Sequence, residues 1–249
     1  MRPVGLTVWA CASAMLLAVA AVRSQGKAPE QLAAAREAMG GAARLASVRT
    51  LALTVRDLER ALRPEGVKTE APLPFEFFET KCEIQVLLPD HFRQVDQSRT
   101  FPGAPSLAWG FAGKSDFGPG KLRWRFRETF GYFVLALLLK TDSVFAFALQ
   151  GIEGGALHFI DPNGVDVFVD VDPATHLPQS MRYDLPERTM SGQLTGKRRP
   201  TRVAMEGYAS VDRLRLPHIL RTYFGDVMMT QRRVESIRIN PVLTPESFK

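Results

Sequence analysis

Hydrophobic and polar residues alternate along most of this chain. In "FEFFETKCEIQVLL", Phe78, Cys82, Ile84, Val86 and Leu88 share one parity, and Glu79, Lys81, Glu83 and Gln85 share the other. A period of two predicts a half-buried strand. Leu51, Leu53 and Val55 predict an earlier strand, "HFRQVDQ" a third after a turn at Pro89-Asp90, and "SLAWGFAG" a fourth. After Gly154-Gly155 the alternation resumes. "ALHFI", "VDVFVDV", "LPQSMRYDL", "TRVAMEGYA", "LPHILRTYF" and "VMMTQRRVESIRIN" read as a meander, with Phe224-Gly225-Asp226 turning the last pair. Gly66 to Pro74 reads as a polar connection. Residues 186–200, rich in Arg, Pro, Gly, Ser and Thr, read as an exposed loop.

Two stretches have a helical character instead. "APEQLAAAREAM" is Ala-rich, and Pro29-Glu30 suits a helix start; Gly40-Gly41 then stops it, or lets it restart at Ala42. In "KLRWRFRETFGYFVLALLLK", Leu122, Phe126, Phe130, Phe133, Val134 and Leu137 recur at helical spacing, with Arg123, Arg127 and Glu128 on the other side. Such an aromatic stripe serves ordinary core packing or covers an apolar cavity.

The segment "FVDVDPATHLPQSMRY" carries Asp170, Asp172 and His176 close together. Strand parity separates them from the core. Val165, Val167, Val169 and Val171 take one face, and Asp166, Phe168, Asp170 and Asp172 the other. In the return strand Met181 and Tyr183 match the valines, so the hairpin loop after Asp172 needs an odd number of residues. Three residues set Asp166 opposite Arg182; five set it opposite Asp184. The charge pairing favours the shorter loop by a few tenths to ~1 kcal/mol. The acidic residues thereby have a structural reason, and a metal or catalytic role is the weaker reading.

Composition narrows the function. Val4 to Val22 is an uncharged apolar run after Arg2, and Ala18-Val19-Ala20 supplies small residues for cleavage. Residues 1–25 read as a secretory signal peptide, with an uncleaved anchor as the alternative. Residues 26–249 are expected to form a single exported domain, placed in the periplasm or otherwise outside the cytoplasm. Beyond the leader Cys82 is the only cysteine, so no intrachain disulfide forms. The formal charge of +6 suits anionic surfaces or, equally, a generally basic soluble surface, and the exported address argues against nucleic acid. The four histidines lie in four different segments and make no close metal pair. No nucleophile elbow, phosphate loop or dinucleotide fingerprint is present, so no cofactor and no enzyme class is indicated.

Several segments, in order, resemble one family. They are "AMGGAARLASVRTL", "LLPDHFRQV", "VFVDVDPATHLPQSMRY", "YASVDRLRLPHIL" and "RINPVLTPESF". Together they resemble the LolA/LolB/RseB-like superfamily, which includes outer-membrane lipoprotein-sorting proteins, over most of residues 30–249. The resemblance implies an α+β, mainly antiparallel fold: a half-open β-barrel with helices on its concave side. It implies binding of a lipid or a lipoprotein acyl chain in an apolar space. A protein partner in the envelope is the alternative, and an exported hydrolase a more distant one. Phe92 and Arg93 match the family's Phe-Arg step. On this reading Phe126, Phe130 and Phe133 would cover the ligand, Trp109 and Phe111 would line the wall, and Arg93 and Arg123 would meet an anionic head group. The chain departs from the carriers in its longer connections at 63–74 and 186–200.

Overall fold

The computed structural model describes residues 27–60, 76–101, 103–118, 123–141, 146–188 and 193–248, without the side chains of 123–128 and 188. The expected leader at 1–25 and the connection at 63–74 lie outside the described residues, as do the side chains of Arg123, Phe126, Arg127 and Glu128.

The first helix, α1, covers residues 27–38 and breaks at Gly40-Gly41; α2 restarts at once as Ala42–Ser47. A Cβ on Gly40 would lie 2.4 Å from the Arg213 carbonyl oxygen, so this turn requires glycine. The strands are β1 (Thr50–Arg60), β2 (Phe77–Leu87), β3 (His91–Ser98), β4 (Leu107–Ala112) and β5 (Ser115–Phe117), then β6 (Ala148–Glu153), β7 (Ala156–Ile160), β8 (Asp166–Val171), β9 (Pro178–Arg188) and β10 (Leu194–Glu206), then β11 (Ala209–Val211), β12 (Leu214–Leu216), β13 (Ile219–Phe224) and β14 (Val227–Ile239). Helix α3 (Arg123–Leu138) stands between β5 and β6.

Twelve strands make one antiparallel sheet in the order β5-β4-β3-β2-β1-β14-β13-β10-β9-β8-β7-β6. β5 and β6 are its two edges and do not pair, so the barrel is open and incomplete. The N-terminal strands build outward from β1 to one edge. The chain passes through α3 to the other edge, and the later strands return until β14 closes on β1. β11 and β12 form a separate hairpin.

Alternation decides which face is buried. Cys82, Ile84 and Val86 point inward, while Lys81 and Glu83 point out. The same rule buries Leu51, Leu53, Val55, Val167, Val169, Met181 and Tyr183. Helix α3 fills the concave side of this sheet. From Phe130 to Lys140 every residue but Phe133 is buried, and Val134, Leu137 and Leu138 are fully enclosed. A segment apolar all round belongs in an interior. Its C-terminal end is held by polar contacts. Arg36 Nε donates to the Leu139 carbonyl at 3.2 Å, and Lys140 Nζ donates to the Ala46 and Val48 carbonyls at 3.1 Å each. Those bonds satisfy carbonyls that a helix end leaves open.

Two expectations are corrected. Residues 186–200 are not one exposed loop: β9 runs to Arg188 and β10 starts at Leu194. The β8–β9 hairpin also takes the strand register of the five-residue loop rather than the three-residue one, with one of the extra residues taken up by a bulge so that the Asp172 amide donates to the Leu177 carbonyl. Val167 pairs with Tyr183 and Phe168 with Arg182, with a bulge between Asp170 and Val171. The expected valine parity holds. The loop length is set by Asp172, whose Oδ1 accepts bonds from the Ala174 and Thr175 amides and the Thr175 hydroxyl. His176 takes φ 57° to complete the turn. The charge conflict is removed by other partners: Asp166 accepts from His158 Nε2 at 2.8 Å, and Asp170 takes Arg182 diagonally at 3.1 Å.

Candidate functional site

The concave surface has an apolar half and a polar half, and both lie beneath α3. The apolar half is aromatic. Phe92 on β3 and Phe111 on β4 are cross-strand partners, with ring centroids 5.9 Å apart. Phe130 of α3 meets both edge-on, at 5.6 and 5.1 Å. Close strand contact places the pair: a Cβ on Gly110 would sit 1.9 Å from the Phe92 carbonyl oxygen. All three phenylalanines are enclosed, with Phe130 only 2% exposed. Trp109 shares the parity of Phe111 and is half-buried nearer the rim, and Leu107 follows at 51% exposure.

The polar half was not anticipated. Asp57 of β1 pairs in register with Arg232 of β14, and both face inward. Arg232 Nε donates to Asp57 Oδ1 at 2.9 Å, and its Nη2 donates to Oδ2, a forked carboxylate pair. Phe133 of α3 covers the guanidinium at 5.7 Å. Cys82 approaches Asp57 Oδ2 at 3.6 Å, and Gln94 Nε2 donates to Asp96 Oδ1 at 2.8 Å. Cys82 and Asp96 are themselves cross-strand partners.

Burial sets the charges here. It works against the Arg232 cation, but the charge and hydrogen bonds of Asp57 outweigh it and raise the guanidinium pKa. Burial first, then the negative charges of Asp57 and Asp96, pushes the Cys82 thiol up, which makes it a poor nucleophile. Burial also raises the Asp96 carboxyl, against bonds from Cys82 and Gln94. Among the described residues no group of His, Cys, Asp and Glu is placed to hold a metal ion.

Phe92, Phe111 and Phe130 are brought together, with Phe133 beside them over Arg232. Arg93 is not brought to this set. It alternates with the inward-facing Phe92 and Gln94, so it lies on the outer face of β3. Asp170 and Asp172 serve the hairpin, and Asp172 is held below the usual carboxylate range, first by the Thr175 amide and then by its hydroxyl. A signal for the missed pair existed. Asp57 has the parity of Leu51, Leu53 and Val55, a charge on an otherwise apolar strand face.

No family model and no curated protein matches the chain. Solved structures do match it. A candidate outer membrane lipoprotein-sorting protein domain from Vibrio parahaemolyticus aligns with TM-score 0.46 and 12% identity, over 89% of this chain and 97% of that one. A LolA superfamily protein from Nitrosomonas europaea aligns with TM-score 0.46 and 10% identity, over 89% and 97%. A DUF1329 family protein from Desulfovibrio piger aligns with TM-score 0.42 and 12% identity, over 89% and 96%.

Proposed function

We propose that this chain is an exported binding protein that holds an acyl chain, free or attached to a lipoprotein, between its curved sheet and helix α3. The observation that carries the reading is the aromatic set Phe92, Phe111 and Phe130. It lies across the sheet–helix contact, and Trp109 and Leu107 continue its apolar wall to the rim. Phe133 and the Asp57-paired Arg232 lie alongside, as the polar end of the same space.

In the structure α3 occupies this space, so a ligand has to replace α3 contacts. A chain of ~14 carbons offers roughly 11 kcal/mol by burial at ~0.8 kcal/mol per CH₂. Uncovering Phe130 and Phe133 forfeits roughly 1.5–3 kcal/mol each. About 5–8 kcal/mol remains before ordering costs, which corresponds to reversible binding weaker than about micromolar. No covalent chemistry is required.

A second reading, an envelope scaffold that binds a protein partner, draws on the closed packing of α3 against the sheet. Titration of a fluorescent fatty acid into delipidated protein separates the two. The carrier reading expects saturable binding, weakened about tenfold by Leu107→Asp at the exposed rim, with an unchanged melting temperature. Absence of saturable binding contradicts it.

A further inference from the structure

The outer face of the sheet, opposite the side covered by α3, carries a second concentration of charge. Residues on five adjacent strands stand directly opposite one another: His158, Phe168, Arg182, Arg202 and Tyr223. An open groove of about 440 Å³ follows this row towards the β13–β14 turn. Its lining includes Phe168, Arg182, Asp184, Arg198, Arg202 and Asp226.

Two arginines in direct cross-strand opposition repel each other. Each is steadied separately. Arg182 holds Asp170 through two bonds of 3.1 Å and leans on Phe168 at 5.5 Å. Arg202 lies 4.1 Å from the centroid of the Tyr223 ring. Neither Arg202 nor Arg198 has a carboxylate within ion-pair distance among the described residues, and neither Asp184 nor Asp226 has a cation there. The groove therefore holds two cations and two anions that do not satisfy one another.

We propose that this groove binds a small zwitterion that joins a phosphate to an ammonium group, as in phosphoethanolamine. The phosphate lies on the Arg202 guanidinium, which has no carboxylate partner among the described residues, with Arg198 further along the same strand lining the groove. Stacking on Tyr223 pre-sets the planar fork of Arg202, and such a fork recognises phosphate oxygens in pairs. The ammonium lies on Asp184 and Asp226. The same chemistry reaches the protein as a free solute or as a lipid head group.

Calorimetric titration of the purified protein with phosphoethanolamine, inorganic phosphate and ethanolamine tests this. Phosphoethanolamine is expected to bind about tenfold more tightly than either half alone. Arg202→Gln should lower its affinity about tenfold. Asp184→Asn should remove its advantage over inorganic phosphate while leaving phosphate binding in place. Both positions are exposed, so melting temperatures should match the parent. Flotation with vesicles of phosphatidylethanolamine against phosphatidylcholine separates the sources: capture lost in Arg202→Gln identifies the head group, and solute binding without capture identifies the free compound. Equal affinity for inorganic phosphate, binding indifferent to both variants, or no binding at millimolar concentration overturns the proposal.

Discussion

Breaking the Asp57–Arg232 pair tests the energetics of the concave floor. The Asp57 side chain is 4% exposed and that of Arg232 is 22% exposed, so neither has full access to water. Asp57→Asn removes the anion and leaves the guanidinium under Phe133 with no equal partner. Removing one member of a buried pair costs about 3–5 kcal/mol, and the residual exposure of Arg232 places this case near the lower end. For a chain of this size that lowers the melting temperature by roughly 6–12 °C. Arg232→Met strands the carboxylate and should cost a similar amount. The double variant Asp57→Leu/Arg232→Met removes both charges, and such replacements are neutral or stabilising by about 1–4 kcal/mol. Urea unfolding of the parent, Asp57→Leu, Arg232→Met and the double variant completes a cycle, and the two singles should sum to far more than the double. If each single variant costs less than about 1 kcal/mol, the pair behaves as a surface ion pair, and the buried polar floor described above is wrong. Asp57→Asn also frees Arg232 for an oxyanion, so fatty-acid affinity should rise while stability falls.

Three other changes follow from local geometry. Asp172→Asn should destabilise the protein at neutral pH; because the folded carboxyl is depressed, that contribution is complete above the ordinary carboxylate range and fades as pH falls through its folded pKa, so melting curves of variant and parent should converge in acid. Gly110→Ala should cost about 1–3 kcal/mol or more in urea unfolding, because its Cβ meets the Phe92 carbonyl oxygen at 1.9 Å. Lys140→Met leaves the Ala46 and Val48 carbonyls without their donor, so a loss of about 1–3 kcal/mol and faster amide exchange near the end of α3 are expected.

Strands were legible in the sequence wherever one face is buried, because alternation there is enforced by the core. The valine face of β8 and its match with Met181 and Tyr183 followed from parity alone. The loop length did not follow, because it is set by three bonds to one Asp172 oxygen and by alternative partners for Asp166 and Asp170. The ends of β9 and β10 were missed because arginine, proline and glycine there resemble a loop while the backbone pairs regardless. Helix α3 was legible from its aromatic spacing. The burial of its second half was signalled only by "FVLALLLK", where apolar residues leave almost no polar face. The Asp57–Arg232 contact joins residues far apart in the chain and needed the β1–β14 pairing.

Entry of an acyl chain between the curved sheet and α3, as proposed, can be mapped on the protein. A fatty acid with a photoreactive group at its terminal carbon, irradiated in complex with delipidated protein and mapped by peptide mass spectrometry, addresses it directly. Crosslinks are expected on β3, β4 and the Phe130 to Leu138 stretch of α3, competed away by unlabelled fatty acid. Crosslinks confined to the outer face of the sheet, or none that unlabelled fatty acid displaces, would contradict it.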